Sequence, residues 1–272
     1  MATYLDRILE FHRARAAADR RSLDELMHRA AAMEAPRGFR DALLGSTAET
    51  ADATLAVISE VKRRSPSKGD LFAELDPAGL AQTYEAGGAA CLSVLTDEHH
   101  FGGSANDLAQ ARAAVSLPVL RKDFTVCALD VVDARLMGAD CVLLIVAALS
   151  DEELANFDDL AAQLGLDVLV ETHDEAEVER ALRTTRGTLI GVNQRDLETF
   201  EVDQDRAVRV AATIPDGVVK VAESGVRGRS DAEALAAAGY DAVLVGEHLV
   251  TSGDPGAALA ALKVRRPPHH DR

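Results

Sequence analysis

From about residue 54 onward, short apolar and β-branched runs alternate with longer Ala-rich stretches whose apolar positions recur at helical spacing. That alternation is the signature of βα units around a parallel sheet. Eight runs read as strands: Leu55–Ser59, Ala90–Val94, Pro118–Arg121, Cys141–Val146, Asp167–Val170, Leu189–Val192, Val218–Val221 and Ala242–Val245. Most are apolar throughout, as strands covered on both faces must be. A Gly leading into a strand recurs at 87–94, 138–144 and 239–245. Those spacings, of about 50 and about 100 residues, fit βα units of roughly 25 residues taken two and four at a time. The Gly supplies a left-handed helix cap. Helix starts are marked by Asp76-Pro77, by Ser150 followed by Glu153 as a capping box, and by Asp254-Pro255. Eight such units predict an α/β chain closed as a (βα)8 TIM barrel.

Residues 1–50 stand outside the repeat and predict two helices, Tyr4–Ala18 and Ser22–Ala32, each with an apolar stripe on a charged background. They form an N-terminal helical extension, suited to capping a barrel mouth or to an oligomer contact. The tail from Pro267 to Arg272 has no apolar residue and is expected to fray; its His269-His270 pair reads as solvated. The expectation is a single barrel domain over 1–272, as a monomer or weak homodimer.

Composition narrows the function. At 272 residues and 47% hydrophobic, the chain can bury one large core. No window approaches the roughly 18 apolar residues of a membrane span, and the N-terminus lacks a signal peptide's apolar core. Cys91, Cys127 and Cys141 show neither disulfide nor zinc spacing. These features predict a cytoplasmic protein with no membrane partner and no metal. A formal net charge of −16 argues against nucleic acid, which needs a basic face. It also means that any phosphorylated ligand must be held by local backbone N–H groups and a few placed cations.

Only five of the 29 basic residues are lysines: Lys62, Lys68, Lys122, Lys220 and Lys263. A lysine can shift its pKa and donate a proton, which arginine cannot. In a barrel the active site forms where strands end, and there the titratable groups gather. Glu60 and Lys62 follow strand 1, Lys122 and Asp123 strand 3, Glu171 strand 5, Asn193 and Arg195 strand 6, Glu223 strand 7 and Glu247 strand 8. Lysines crowded by cations or desolvated would titrate low and donate near neutral pH, while a glutamate in the same mouth accepts. Paired ions that only satisfy the rim remain the alternative, above all for Asp123 and Arg195. ESGV (223–226) and VGE (245–247) put Ser224, Gly225, Gly246 and Glu247 at the usual barrel phosphate site. The long basic segment 60–70 has the composition of a lid over a charged ligand, or of a solvated loop.

The strings SEVKRRSPSKG (59–69), LRKDF (120–124), LVETH (169–173), GVNQRDL (191–197) and AESGV (222–226) resemble, in order, the signature segments of indole-3-glycerol phosphate synthases. The resemblance extends to the N-terminal helices and to TDEHHFGGS (96–104). It implies a phosphorylated small-molecule substrate, 1-(o-carboxyphenylamino)-1-deoxyribulose 5-phosphate, and the products indole-3-glycerol phosphate, CO2 and water, with no metal or organic cofactor. By the same resemblance Lys122 is the general acid at the ribulose carbonyl. Lys62 engages the anthranilate carboxylate and acts in the later dehydration. Glu171 assists proton transfer and stabilises the cationic ring. Glu60 is a partner or base beside Lys62, and Asn193 and Glu223 hold hydroxyls or orient the lysines. Phe101 and Phe124 resemble the walls of the anthranilate pocket and Ser65 part of the mobile first loop. Arg195 is expected to contact substrate, and Ser224, Gly225, Gly246 and Glu247 to hold the phosphate. Gln194 stands where Asn is commoner.

Two rival readings remain. A phosphoribosylanthranilate isomerase would want a Cys after strand 1, where this chain has Glu60 and Lys62. A catalytically idle barrel that binds a phosphorylated ligand or a partner subunit is compatible with the fold alone.

Overall fold

The computed structural model describes residues 3–46, 53–65, 69–72, 74–195 and 202–267. Eight parallel strands close into a barrel in sequence order: β1 (Ala56–Val61), β2 (Cys91–Leu95), β3 (Val119–Lys122), β4 (Cys141–Ile145), β5 (Asp167–Thr172), β6 (Leu189–Asn193), β7 (Val219–Glu223) and β8 (Ala242–Val245), with β8 pairing back onto β1. A short antiparallel pair, Arg64–Ser65 with Gly69–Asp70, lies outside it. The expected (βα)8 barrel is what forms.

The strands differ from the expected ones mainly at their ends. The apolar runs put Glu60, Lys122, Glu171, Asn193 and Glu223 just after strands, yet each is still in the ladder. Glu60 pairs with Ser93, Lys122 with Leu95, Glu171 with Ile145 and Gly191, and Asn193 with Glu223. An apolar run stops at its first charge, whereas backbone pairing continues as long as the neighbouring strand does. The polar side chains are therefore held by paired backbone rather than by loops.

The helix signals hold. Gly88, Gly138 and Gly239 have φ of 86°, 90° and 91°, the left-handed region that caps the preceding helix. Asp76 and Asp254 cap their helices from the side chain, and Ser150 with Glu153 forms the capping box. Lys220 is buried and donates to the Ala211 carbonyl at 3.1 Å, at the end of helix Gln204–Ala211.

The N-terminal helices are Tyr4–Ala18 and Leu23–Ala31, and a third, Phe39–Ser46, was not expected. The first lies at the mouth formed by the strands' C-terminal ends, pinned by His12 to Asp97 at 2.8 Å and by Arg13 to Glu153 at 2.8 Å. The third sits at the opposite end. There the Arg37 and Arg40 amides donate to Asp140 and Asp167 at 2.8 Å each, and Phe39 and Leu43 are fully buried. Of the tail, only Pro267 falls among the described residues.

Candidate active site

Lys122, on the last residue of β3, projects into a cavity of about 770 Å3 at the barrel mouth, a size suited to a small ligand. Its ammonium donates to Glu171 Oε2 at 2.7 Å and to Glu223 Oε2 at 2.9 Å. The second oxygen of Glu171 accepts from Asn193 Nδ2 at 3.1 Å. Four strand ends, β3, β5, β6 and β7, thus meet on one hydrogen-bonded cluster. On the other side Lys62 pairs with Glu60 at 2.5 Å.

The expectation that a lysine here would titrate low is overturned. Burial does push the Lys122 ammonium down, but Glu171, Glu223 and Glu60 outweigh it and hold the pKa above the ordinary value. The neighbours are carboxylates, not cations. The cluster divides its charge unevenly. Burial raises Glu171, yet Lys122, His173 and Asn193 bring it below the usual carboxylate range. Burial and the adjacent Glu171 push Glu223 up to about 7 despite Lys122. While Lys122 is charged, Glu171 therefore carries the negative charge, and Glu223 is the carboxylate that holds a proton more readily.

Two glycines make room for this packing. A Cβ on Gly191 would collide with Glu223 Oε1, and one on Gly246 with Glu60 Oε2.

The remaining candidates fall around the same cavity. Phe101 and Phe124 face it with ring centroids 6.3 Å apart, and Ser65 lines it with its hydroxyl buried and unpartnered. Arg195 also lines the cavity, and its amide donates to Asn193 Oδ1 at 3.0 Å. Asp123 lines the cavity too, but its carboxylate is taken up in a buried network: it pairs with Arg121 at 2.8 Å, accepts from Thr96, and takes the Phe124 amide at 2.8 Å. These bonds tie it to the turn that carries Phe124.

Ser224 and Gly225 have φ of 65° and 75°, two consecutive left-handed residues, and Gly246 opens the short helix Glu247–Val250; all four candidate phosphate residues line the cavity. Among non-glycine residues of the described chain, Ser224 is the one with positive φ. Strain of this kind persists only where surroundings enforce it. Gln194 supplies part of that enforcement, donating from Nε2 to the Ser224 carbonyl at 2.7 Å while its amide donates to the Glu223 carbonyl at 2.9 Å.

Several groups were missed. Tyr4, Leu5 and Ile8 of the first helix wall the cavity, and Arg227 and His248 line it as well. His173 approaches Glu171 Oε1 at 3.8 Å. Its signal was available: two residues beyond Glu171, it shares that residue's face of the strand line.

Residues 5–262 match the sequence model of a family described as indole-3-glycerol phosphate synthase. A protein named indole-3-glycerol phosphate synthase from Mycobacteroides abscessus is 50% identical over 260 residues, covering 96% of this chain and 93% of that one. A Streptomyces griseus protein of the same name is 53% identical over 241 residues, covering 89% and 87%. Among solved structures, a thiamine phosphate pyrophosphorylase from Pyrococcus furiosus superposes with a TM-score of 0.58 at 13% identity, covering 76% of this chain and 93% of that one, a likeness of fold alone.

Proposed function

This chain belongs to the indole-3-glycerol phosphate synthase family, and from that premise we propose how the residues of its barrel mouth divide the work. The activity is that of a decarboxylating lyase of tryptophan biosynthesis. The substrate we assign is 1-(o-carboxyphenylamino)-1-deoxyribulose 5-phosphate. The observation that carries the assignment of roles is the Lys122 ammonium held between Glu171 and Glu223 inside the cavity that Phe101 and Phe124 flank.

Ring closure needs a polarised carbonyl and a proton for the alkoxide that develops on it. The ring carbon bearing the carboxylate attacks the ribulose carbonyl; the π pair moves to oxygen, which takes a proton from Lys122. The ring is then cationic, and Glu171, an anion at that stage, is the group placed to stabilise it. Breaking the bond to CO2 returns a pair to the ring, so the step needs positioning rather than an electron sink. Lys62 binds the carboxylate beforehand and then protonates the departing hydroxyl. Glu60, 2.5 Å from Lys62, takes the carbon-bound proton released as the double bond forms. Asn193 and Glu223 orient Glu171 and Lys122, and Arg195 and Ser65 contact the substrate. Ser224, Gly225, Gly246 and Glu247 hold the phosphate through backbone N–H groups, the Glu247 side chain turning away from it.

With this reading go a single barrel domain, a cytoplasmic location, no nucleic-acid partner and a monomer or weak homodimer. Among the described residues no helix is long and apolar enough to cross a membrane. The test is to mix purified protein with the substrate in chelator-containing buffer and follow indole fluorescence. Fluorescence growing in with CO2 release is the expected result. Silence with the ligand bound would move the reading to an idle phospholigand-binding barrel.

A further inference from the structure

The proposed reaction does not conserve protons. Two are donated, one to the carbonyl oxygen and one to the departing hydroxyl, and one is recovered from carbon. The deficit matches the negative charge lost when a carboxylate leaves as neutral CO2. One proton per turnover must therefore reach Lys122, whose side chain is only 16% exposed.

His173 occupies the position from which that proton can come. Its Nδ1 lies 3.0 Å from Glu177 Oε2, which also accepts from the His173 amide at 2.8 Å. Its Nε2 is buried, has no hydrogen-bond partner, and lies 3.8 Å from Glu171 Oε1. A carboxylate only accepts, so the hydrogen on the Glu177 side belongs to Nδ1. In the neutral ring Nε2 would then aim a bare lone pair at the Glu171 carboxylate, whereas in the imidazolium it aims an N–H. The charged groups facing the ring are Glu177 on helix Glu175–Thr184, Glu171 on β5, two residues before it, and Glu223 on β7. Burial favours the neutral ring, but these three carboxylates together hold its pKa above the ordinary value. The side-chain exposures fall inward, from 22% at Glu177 to 13% at His173 and 3% at Glu171.

We propose that Glu177 and His173 form the proton-entry route of this site, with His173 a positioning residue that reloads Lys122 through Glu171. Once Lys122 has given up its proton, the Nε2–H bond of the imidazolium breaks and an O–H bond forms on Glu171 Oε1. Rotation about the last, soft torsion of the glutamate presents that O–H to the neutral Lys122 amine, which takes the proton and restores the carboxylate. His173 is reprotonated from solvent on the Glu177 side. The 3.8 Å separation must shorten by about 1 Å for the first transfer, the kind of tightening that catalytic hydrogen bonds undergo when ligand binds.

The inference rests on the proposed function, so the wild type is first shown to turn over; an inactive wild type would sink that reading and this one with it. With an active wild type, His173→Ala should lower kcat about 10- to 100-fold, less than the loss of a group acting directly on substrate, with little change in KM. Added imidazole should restore part of the rate in proportion to its protonated form, while the wild type ignores it. Glu177→Gln keeps the hydrogen-bond acceptor but removes a charge that supports the imidazolium, so the alkaline fall of kcat should move to lower pH. This second variant carries the test if the alanine variant fails to fold. An unchanged kcat in His173→Ala, or a fall that imidazole does not rescue, overturns the relay, as does an unshifted profile in Glu177→Gln.

Discussion

Lys122 Nζ is hydrogen-bonded to Glu171 Oε2 at 2.7 Å, so the proposed acid arrives at the reaction already charged and held in place. Replacing it tests two things at once. Lys122→Ala should lower kcat by at least about 10²- to 10⁴-fold, the usual contribution of a general acid, while the substrate still binds. It also leaves Glu171 and Glu223 facing each other unpaired. Breaking a buried ion pair on one side costs up to about 3–5 kcal/mol, but Glu223 escapes part of that cost by taking a proton. The expected loss, read by denaturant unfolding, is smaller at pH 6 than at pH 8. Retained turnover would show that the acid is another group.

The opposite shifts of Glu171 and Glu223 set a pH dependence for stability. Glu223 titrates near 7 when folded and in the ordinary carboxylate range when unfolded, so the folded state holds a proton that the unfolded chain releases between those values. Its contribution to stability falls as pH rises from about 4.5 to about 7. Glu171 is lowered, so its contribution is present above the ordinary range and lost as acid protonates it. His173, raised, loses its contribution with rising pH and so adds to the trend of Glu223. Wild-type stability should therefore be lower at pH 8 than at pH 5.5. Glu223→Gln should remove part of that difference, on the order of 1–3 kcal/mol. An unchanged difference would mean that Glu223 does not titrate in this window.

The barrel was legible because its information is local: apolar runs, glycine caps and capping boxes recur at fixed spacing, and each acts within its own unit. The strand ends were misplaced because the residues that matter most, Glu60, Lys122, Glu171, Asn193 and Glu223, break the apolar pattern while remaining in the ladder. Which residue types gather at the mouth could be read from one strand at a time. Their electrostatics could not, since Lys122 is raised by carboxylates carried on β5, β7 and β1, tens of residues away in the chain. The helix Phe39–Ser46 escaped because it is a short segment whose burial depends on the closed end of the barrel, and the turn at Ser224 gave no sign of needing Gln194.

Gly191 offers a test of how tightly Glu223 must be held. A Cβ there would overlap Glu223 Oε1 and lie 3.2 Å from Leu169 Cδ1. The carboxylate would have to swing aside, which disturbs the 2.9 Å contact its other oxygen makes with Lys122. Gly191→Ala should cost about 1–3 kcal/mol in stability, as overpacking does, and lower kcat more than it changes KM. Full activity in this variant would show that Glu223 does not orient Lys122.

His12 ties the N-terminal extension to the cavity wall through Asp97. The imidazole is fully buried, and Nε2 meets Asp97 Oδ2 at 2.8 Å, while His100 supplies its amide at 2.6 Å and Nδ1 at 2.9 Å. Burial would raise the Asp97 carboxyl, but these hydrogen bonds hold it well below the usual range. His12→Ala removes one of the three, and leaving a buried acceptor short of a partner costs about 1–3 kcal/mol. The consequence for function follows from position. The same helix carries Tyr4, Leu5 and Ile8 into the cavity wall, so loosening it opens one side of the mouth without touching Lys122 or Glu171. His12→Ala should therefore raise KM several-fold while kcat changes little, and the first helix should become more accessible to protease. An unchanged KM would mean that contacts such as Arg13 with Glu153 and Arg15 with Asp130 hold the helix in place unaided.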